Sequence, residues 1–473
     1  MLPNVNGLSP FILCFDETFR WSEDMKNVYD VIIVGAGSSG MNAAICAARK
    51  GLQVLLIDQN GYPGGTNTSA MVGPFMTFHD GEKQVVKGIA QEIIDRLAAK
   101  GGTLGHVPDP IGVVASITPV DPELLKQVYF EMLAEEKNIT TLLHTFLVDA
   151  DVRSNSVRSV RVVNKSGMQT YEGKVFIDAS GDADLAASSG ADFVLGRKHD
   201  GMSQPMTLMF SVENVNLHET VEYVHQNPEQ FILNKDCDLN KYLAVSGFFS
   251  LVEQARKNGD FPLPRDRVLF FQGVHPGEVV INMTRVTKLS GVNGAERTQA
   301  EIQAHKQVDI VMAFLKKYIP GFANARIKTI ASATGIRESR RIVGVETLDT
   351  DMIFNSEQND NSVAVCAYPI DIHDPVGADL NWIRKGKGCY DVPYGVMVPK
   401  KITNLLVTGR CISASHEAMA SVRITPTAMA LGQAAGMAAS IAVTEKIPVQ
   451  EVDVQKLQNL LWQDGAIPGK RWL

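Results

Sequence analysis

Three apolar runs along the chain are nearly continuous, and each empties into glycine: "DVIIVGAG" from residue 30, "KVFIDASG" from 174 and "NLLVTG" from 404. A run without apolar–polar alternation predicts a strand covered on both faces, as in the parallel sheets of α/β folds. A fourth run, "QVLLID" (53–58), follows the first after a small-residue helical stretch, "SSGMNAAICAARKG" (38–51), and completes a strand–helix–strand unit. Helical periodicity covers 84–102 and 121–138, with Asp121 placed to cap a helix whose first residue is Pro122. Strand patterns near 140–150, 157–164 and 168–172, separated by "RSNS" and "NKSG", predict a meander. Mixed strands such as "VLFFQG" and "EVVINMTRV" and a helix at 296–317 lie further on. Near the end, "TPTAMALGQAAGMAAS" (425–440) predicts a helix of almost nothing but Ala, Gly and Met, and "EVDVQKLQNLLWQDG" an amphipathic one.

This order predicts an α/β fold in which a Rossmann-like nucleotide domain is assembled from discontinuous segments, 26–190 (with a helical insertion, 81–137) and 395–445. A mixed α+β substrate domain is inserted at 191–394, and a C-terminal helix follows in 446–473. Residues 1–25 read as an extension outside the fold, because Met25 is followed at once by the first strand. The net charge of −7 comes without a basic run, which recommends neither a nucleic-acid groove nor an anionic membrane surface. No apolar run approaches the roughly 20 residues of a bilayer span, so no membrane is expected. The six cysteines form no CxxC pair, against a disulfide framework or a zinc site and in keeping with a reducing cytoplasm; no His pair has ligand spacing, so no metal is expected.

The first turn, Gly35-x-Gly37-x-x-Gly40, carries the clearest chemistry. Gly35 permits the tight turn, Gly37 lets the backbone approach a pyrophosphate, Gly40 allows close helix–strand packing, and Asp58 at the end of the second strand would hold ribose hydroxyls. Directly after that strand comes Gly64-Gly65-Thr66, where a chain binding only NAD would enter its next helix. FAD, longer, needs such a turn to pass along the ribityl chain and flavin. Ala179-Ser180-Gly181-Asp182 and Gly409 at the ends of two further strands strengthen the choice of FAD.

The motifs "VIIVGAGSSG", "GGTNT", "FIDASGDADLAASSGA", "ATGIRESRRIVG", "VPYGVMVPKKITNLLVTGRCISASHEAMASVR" and "TAMALGQAAGMAA" resemble FAD-dependent oxidoreductases of the glutathione-reductase structural class. They are most similar to the flavoproteins grouped with heterodisulfide reductase A, with fumarate reductase flavoproteins as distant relatives. The resemblance covers residues 28 to 445; the cysteine-rich iron–sulfur segments of true heterodisulfide reductases are missing. It implies that the C-terminal helix points its N-terminus at the flavin, with Thr425 as N-cap and Pro426 in the first turn, and that Thr425, Thr427 and Ala428 lie near the isoalloxazine. A main-chain group near Leu147 would read the adenine. Arg410 stands after Gly409 where an acid often meets the ribityl chain.

The implied activity is hydride transfer between a polar small molecule and flavin N5. The alternative is a flavin-containing electron-transfer subunit serving a redox partner protein; a homo-oligomer is also compatible. His416 and Arg423, seven residues apart in the loop before the C-terminal helix, are the candidate catalytic pair: a His can move a proton near neutral pH and an Arg can clamp an anion. An ordinary surface His is the competing reading. Arg337 and Tyr394 are candidate substrate contacts, against a salt-bridged strand for "RESRR" and a core position for Tyr394. Cys411 is expected to be a buried apolar residue rather than a redox thiol.

Overall fold

Strand β1 (Val28–Val34) runs into helix α1 (Ser38–Arg49) and returns as β2 (Val54–Ile57), parallel to β1 with Val34 opposite Ile57. The computed structural model describes residues 27–81, 83–377, 380–384 and 388–473; the extension expected at 1–25 lies outside the described residues. On its other side β1 pairs with β3 (Gly167–Asp178), which pairs in turn with β4 (Leu405–Val407), while Ile139–Leu142 joins β2; all these pairings are parallel. Their carboxyl ends therefore share one edge, which gathers Gly35, Asp58, Ala179–Gly181 and Gly409 although they lie far apart in sequence. The predicted meander is present as Phe146–Arg153, Ser156–Asn164 and the first half of β3, and β3 continues unbroken into the parallel core.

Helix α2 (Thr425–Glu445) lies along α1 so closely that a Cβ on Gly432 would overlap the Ser39 carbonyl oxygen, and one on Gly436 the Ala43 carbonyl oxygen. This contact explains the composition: any larger residue on that face would wedge the two helices apart. Contrary to expectation, α2 is long and apolar enough to cross a bilayer, but 83% of its apolar window is buried inside the fold. Asp121 caps the helix Pro122–Glu135 as predicted, accepting from the N–H groups of Glu123 and Leu124.

A second core surrounds a five-stranded antiparallel sheet in the order Ala244–Gly247, Val268–Gln272, Val279–Ile281, Phe210–Glu213 and Arg326–Ile330, with the helix Gly294–Tyr318 packed into the same core. The segment expected to belong wholly to this domain divides. Leu348, Val363–Cys366 and Tyr390–Val398 are buried in the first core, with α1 and α2. The strand Ile370–His373 from this returning segment carries chemistry into the space between the two cores.

Candidate functional site

A cleft of ≈ 410 Å³ runs from the carboxyl edge of the parallel sheet to the face of the antiparallel one. At the first end, Gly35 has φ +102°, and a Cβ there would overlap the Ala179 carbonyl oxygen. Asp58 fixes the turn: one carboxylate oxygen accepts from the Ala36 N–H at 2.6 Å, the other from the Asn60 N–H at 2.7 Å. Burial pushes its carboxyl up, against these hydrogen bonds. Gly64 and Gly65 sit against the turn, Gly64 bridging Gly37, and a Cβ on Gly65 would come within 2.8 Å of the Gly37 Cα. Asn67 ties three segments, bonding the Ser38 hydroxyl, the Val72 carbonyl at 2.8 Å and the Thr425 hydroxyl at 2.9 Å.

Gly37 is different from its neighbours. The nearest protein atom to a Cβ built there is 3.8 Å away, so nothing in the protein excludes a side chain. The open space belongs to the cleft, flanked by Ser38, Asp58 and Thr66 and by the free N–H groups at the start of α1. An open approach to the backbone beside a helix N-terminus is what a dinucleotide diphosphate needs. Asp182 lies opposite, paired with Arg410 at 2.9 Å and with Arg297 at 3.4 Å; Arg410 also donates to the Ile336 carbonyl. Arg410 thus works as an interdomain strut.

The other half of the cleft is cationic. Arg337 donates to the Pro205 carbonyl and the Thr207 hydroxyl, both at 2.7 Å, and neither partner offsets its charge. Arg423 reaches the Asp371 carbonyl oxygen at 3.4 Å and its carboxylate only at 3.9 Å. Among the described residues its Nε has no partner. Burial, then Arg423 and, more weakly, Arg265 and Arg285, pulls the Arg337 pKa well down against the opposing effect of Asp371. Burial alone would raise the Asp371 carboxyl, but His373, Arg423 and Arg337 hold it well below the usual carboxylate range. His373 Nε2 lies 3.3 Å from that carboxylate and Nδ1 has no partner among the described residues, while burial and then Arg337 push the imidazole down to about 3. Tyr368 donates to the same carboxylate at 3.3 Å.

Of the residues expected from sequence, Gly35, Gly37, Asp58, Gly65, Thr66, Ala179, Asp182, Gly409, Arg410, Thr425, Ala428, Arg337 and Arg423 line the cleft. Gly40 and Gly64 build it from beneath, a Cβ on Gly40 overlapping the Gly35 carbonyl. Four do not reach it. His416 is buried, its Nδ1 2.8 Å from Glu338, a carboxylate shared with Arg341. Tyr394 is a core residue whose hydroxyl donates to the Val449 carbonyl at 2.8 Å. Leu147 is held in the meander ladder opposite Val162; the residue touching the Asp58 end is Thr145, whose N–H donates to the Asp58 carbonyl at 2.9 Å. Thr427 is buried beside Cys366. Thr425 begins α2 and accepts from Asn67, and the N-cap is Ile424 without a side-chain bond. Cys411 is buried, as expected, with Sγ accepting from the Ala183 N–H.

The structure adds Tyr368, Asp371 and His373, which the sequence reading passed over. Their signal was present in "YPIDIH": Asp371 and His373 are two apart, which places them on one face of a strand. His416→Ala is accordingly expected to leave the rate at the cleft within a few-fold of the parent. It should cost about 1–3 kcal/mol of stability, because Glu338 loses a buried partner; urea unfolding beside single-turnover rates measures both.

A model of the family described as FAD dependent oxidoreductase matches residues 30–461. An opine oxidase subunit from Rhizobium meliloti is 46% identical over 44 residues, 9% of this chain and 8% of that protein. Its counterpart from Agrobacterium tumefaciens (strain Ach5) is 43% identical over 42 residues, 9% of this chain and 8% of that protein, so the chain spans only a small part of the length of these curated relatives. Among solved structures, a geranylgeranyl bacteriochlorophyll reductase-like protein from Thermoplasma acidophilum has TM-score 0.48 at 13% identity, covering 92% of this chain and 84% of that one. L-Proline dehydrogenase from P. horikoshii has TM-score 0.44 at 10% identity, covering 93% and 99%.

Proposed function

The chain belongs to the FAD dependent oxidoreductase family, and from that premise we propose that it transfers hydride between FAD and a small molecule bearing a carboxylate. The carrying observation is the incompletely offset charge of Arg337 and Arg423: two buried guanidiniums share one loosely placed carboxylate, Asp371. Buried charge without a partner is costly, and an anionic ligand is the natural complement. The cradle of Gly35, Gly37, Ser38, Asp58, Gly65 and Asn67, with Asp182 and Arg410 opposite, would hold the cofactor. FAD, when bound, supplies the hydride exchange. The chain supplies the rest: Arg337 and Arg423 bind and orient the anion, and His373 accepts or returns the substrate's proton at Nδ1 while Asp371 fixes its ring.

Anaerobic titration of the FAD-loaded protein with small acids that carry an oxidisable C–H beside a hydroxyl or amine, and with the matching amides, tests this. Acids should bleach the flavin and their amides should not; equal reduction by both would end the reading. Arg423→Gln is expected to weaken acid binding by about 2–5 kcal/mol, at least ~30-fold in Kd, with flavin content unchanged. Titration of the variant checks it.

A further inference from the structure

Beyond the arginines the cleft changes character, and the change is built by strand alternation. In Val268–Gln272, Val268 and Phe270 point into the second core, whereas Leu269 and Phe271 belong to a separate apolar cluster with Ile111. Ile111, Val113, Leu269 and Phe271 all line the cleft. The opposing loop is held in shape by Asp109, whose carboxylate accepts from the N–H groups of Ile111, Val113 and Val114 at 3.0, 2.7 and 3.1 Å. That carboxylate is consumed by the loop. The other charged group nearby, Arg267, is closed off by a two-pronged pair with Asp266 at 2.9 and 2.7 Å. Among the described residues that line this end, Ile111, Val113, Leu269 and Phe271 offer apolar surface, and both charged groups, Asp109 and Arg267, are already taken up. Ile232, which also lines the cleft, is 39% exposed.

We infer that the substrate is a monocarboxylate with an apolar body, its acid group at Arg337 and Arg423 and its hydrocarbon part on the apolar wall that Ile111, Val113, Leu269 and Phe271 present to the cleft. The inference rests on the carboxylate reading above and adds what selects among acids. A dicarboxylate of similar length would bury its second charge against Leu269 and Phe271, where none of the described lining residues offers an unpaired cation, and that costs far more than the area gains. An alkyl chain gains with every carbon removed from water.

The test is calorimetric binding to the FAD-loaded protein of acetate, butyrate, hexanoate, hexanamide and adipate. Affinity should rise about fourfold per methylene from acetate toward hexanoate, and adipate should bind at least tenfold more weakly than hexanoate. Ile232→Lys, at an exposed position that tolerates the change, should narrow or reverse the hexanoate–adipate difference with flavin content unchanged. A flat acid series, or adipate matching hexanoate in the parent protein, would overturn the inference while leaving the carboxylate reading intact. Hexanamide binding as tightly as hexanoate within a length-dependent series would overturn the carboxylate reading and keep the apolar end. No binding by any acid would overturn both.

Discussion

His373→Ala is expected to slow flavin reduction by roughly 10²–10⁴-fold while leaving flavin content intact, the effect of losing a general acid or base. The tautomer follows from the geometry. Asp371 is held ionised by its cationic neighbours and can only accept, so the nitrogen facing it, Nε2, must carry the hydrogen. Nδ1 is left with a lone pair and no protein partner among the described residues. In the ligand-free cleft this lone pair is a poor base, because burial and Arg337 push the imidazole down to about 3. The proposed carboxylate, on settling at Arg337 and Arg423, would remove part of that repulsion, so basicity at Nδ1 should rise when it binds. The sign for pH follows: the neutral, accepting form is lost as pH falls through the folded-state pKa, and that fall should lie at higher pH with an acid bound than without. Stopped-flow reduction across pH measures both; a variant that reduces at the parent rate would remove His373 from the mechanism.

The different fates of His373 and His416 show which parts of the site the sequence could give up. The cradle was legible because its parts are local: strand, glycine turn, helix and terminal acid succeed one another between residues 28 and 58, and each constrains its neighbour's geometry. The slim C-terminal helix was legible for the same reason, since Gly432 and Gly436 announce a close approach whatever the partner. His416 and Arg423 were paired as members of one loop, but His416–Val422 is a helix. At 1.5 Å per residue, seven residues separate the two by about 10 Å, enough to put His416 against Glu338 and Arg423 in the cleft. Asp371 and His373 reach the cleft because a strand from late in the chain returns to the first core, a long-range event that leaves only the two-residue spacing in the sequence. The fate of 348–398 was hidden likewise: its apolar strands suit either core, and only the tertiary packing decides between them.

The glycine turn offers a prediction in which folding and cofactor binding separate. Gly37→Val should bring flavin content close to zero and hold the flavin-free protein within about 1 kcal/mol of the parent's stability, the cost of a poorer N-cap for α1. The backbone at Gly37 has φ −69° and ψ −178°, open to any residue, and a Cβ there meets nothing nearer than 3.8 Å. The methyl groups of Val would instead enter the open space where the diphosphate must approach the backbone. Gly40→Ala makes the contrast, since its Cβ would overlap the Gly35 carbonyl oxygen, and forcing an atom into a packed site costs typically 1–3 kcal/mol. That variant should lose stability with or without flavin. Both proteins must be compared after flavin removal, because bound FAD stabilises the native state by mass action and would make any loss of affinity look like a loss of fold. Thermal unfolding of the flavin-free forms, beside flavin absorbance per chain in the reconstituted ones, gives the two readouts. Stoichiometric flavin retained by Gly37→Val would show that the diphosphate does not lie at this turn, and equal destabilisation by both substitutions would show that Gly37 is kept for packing.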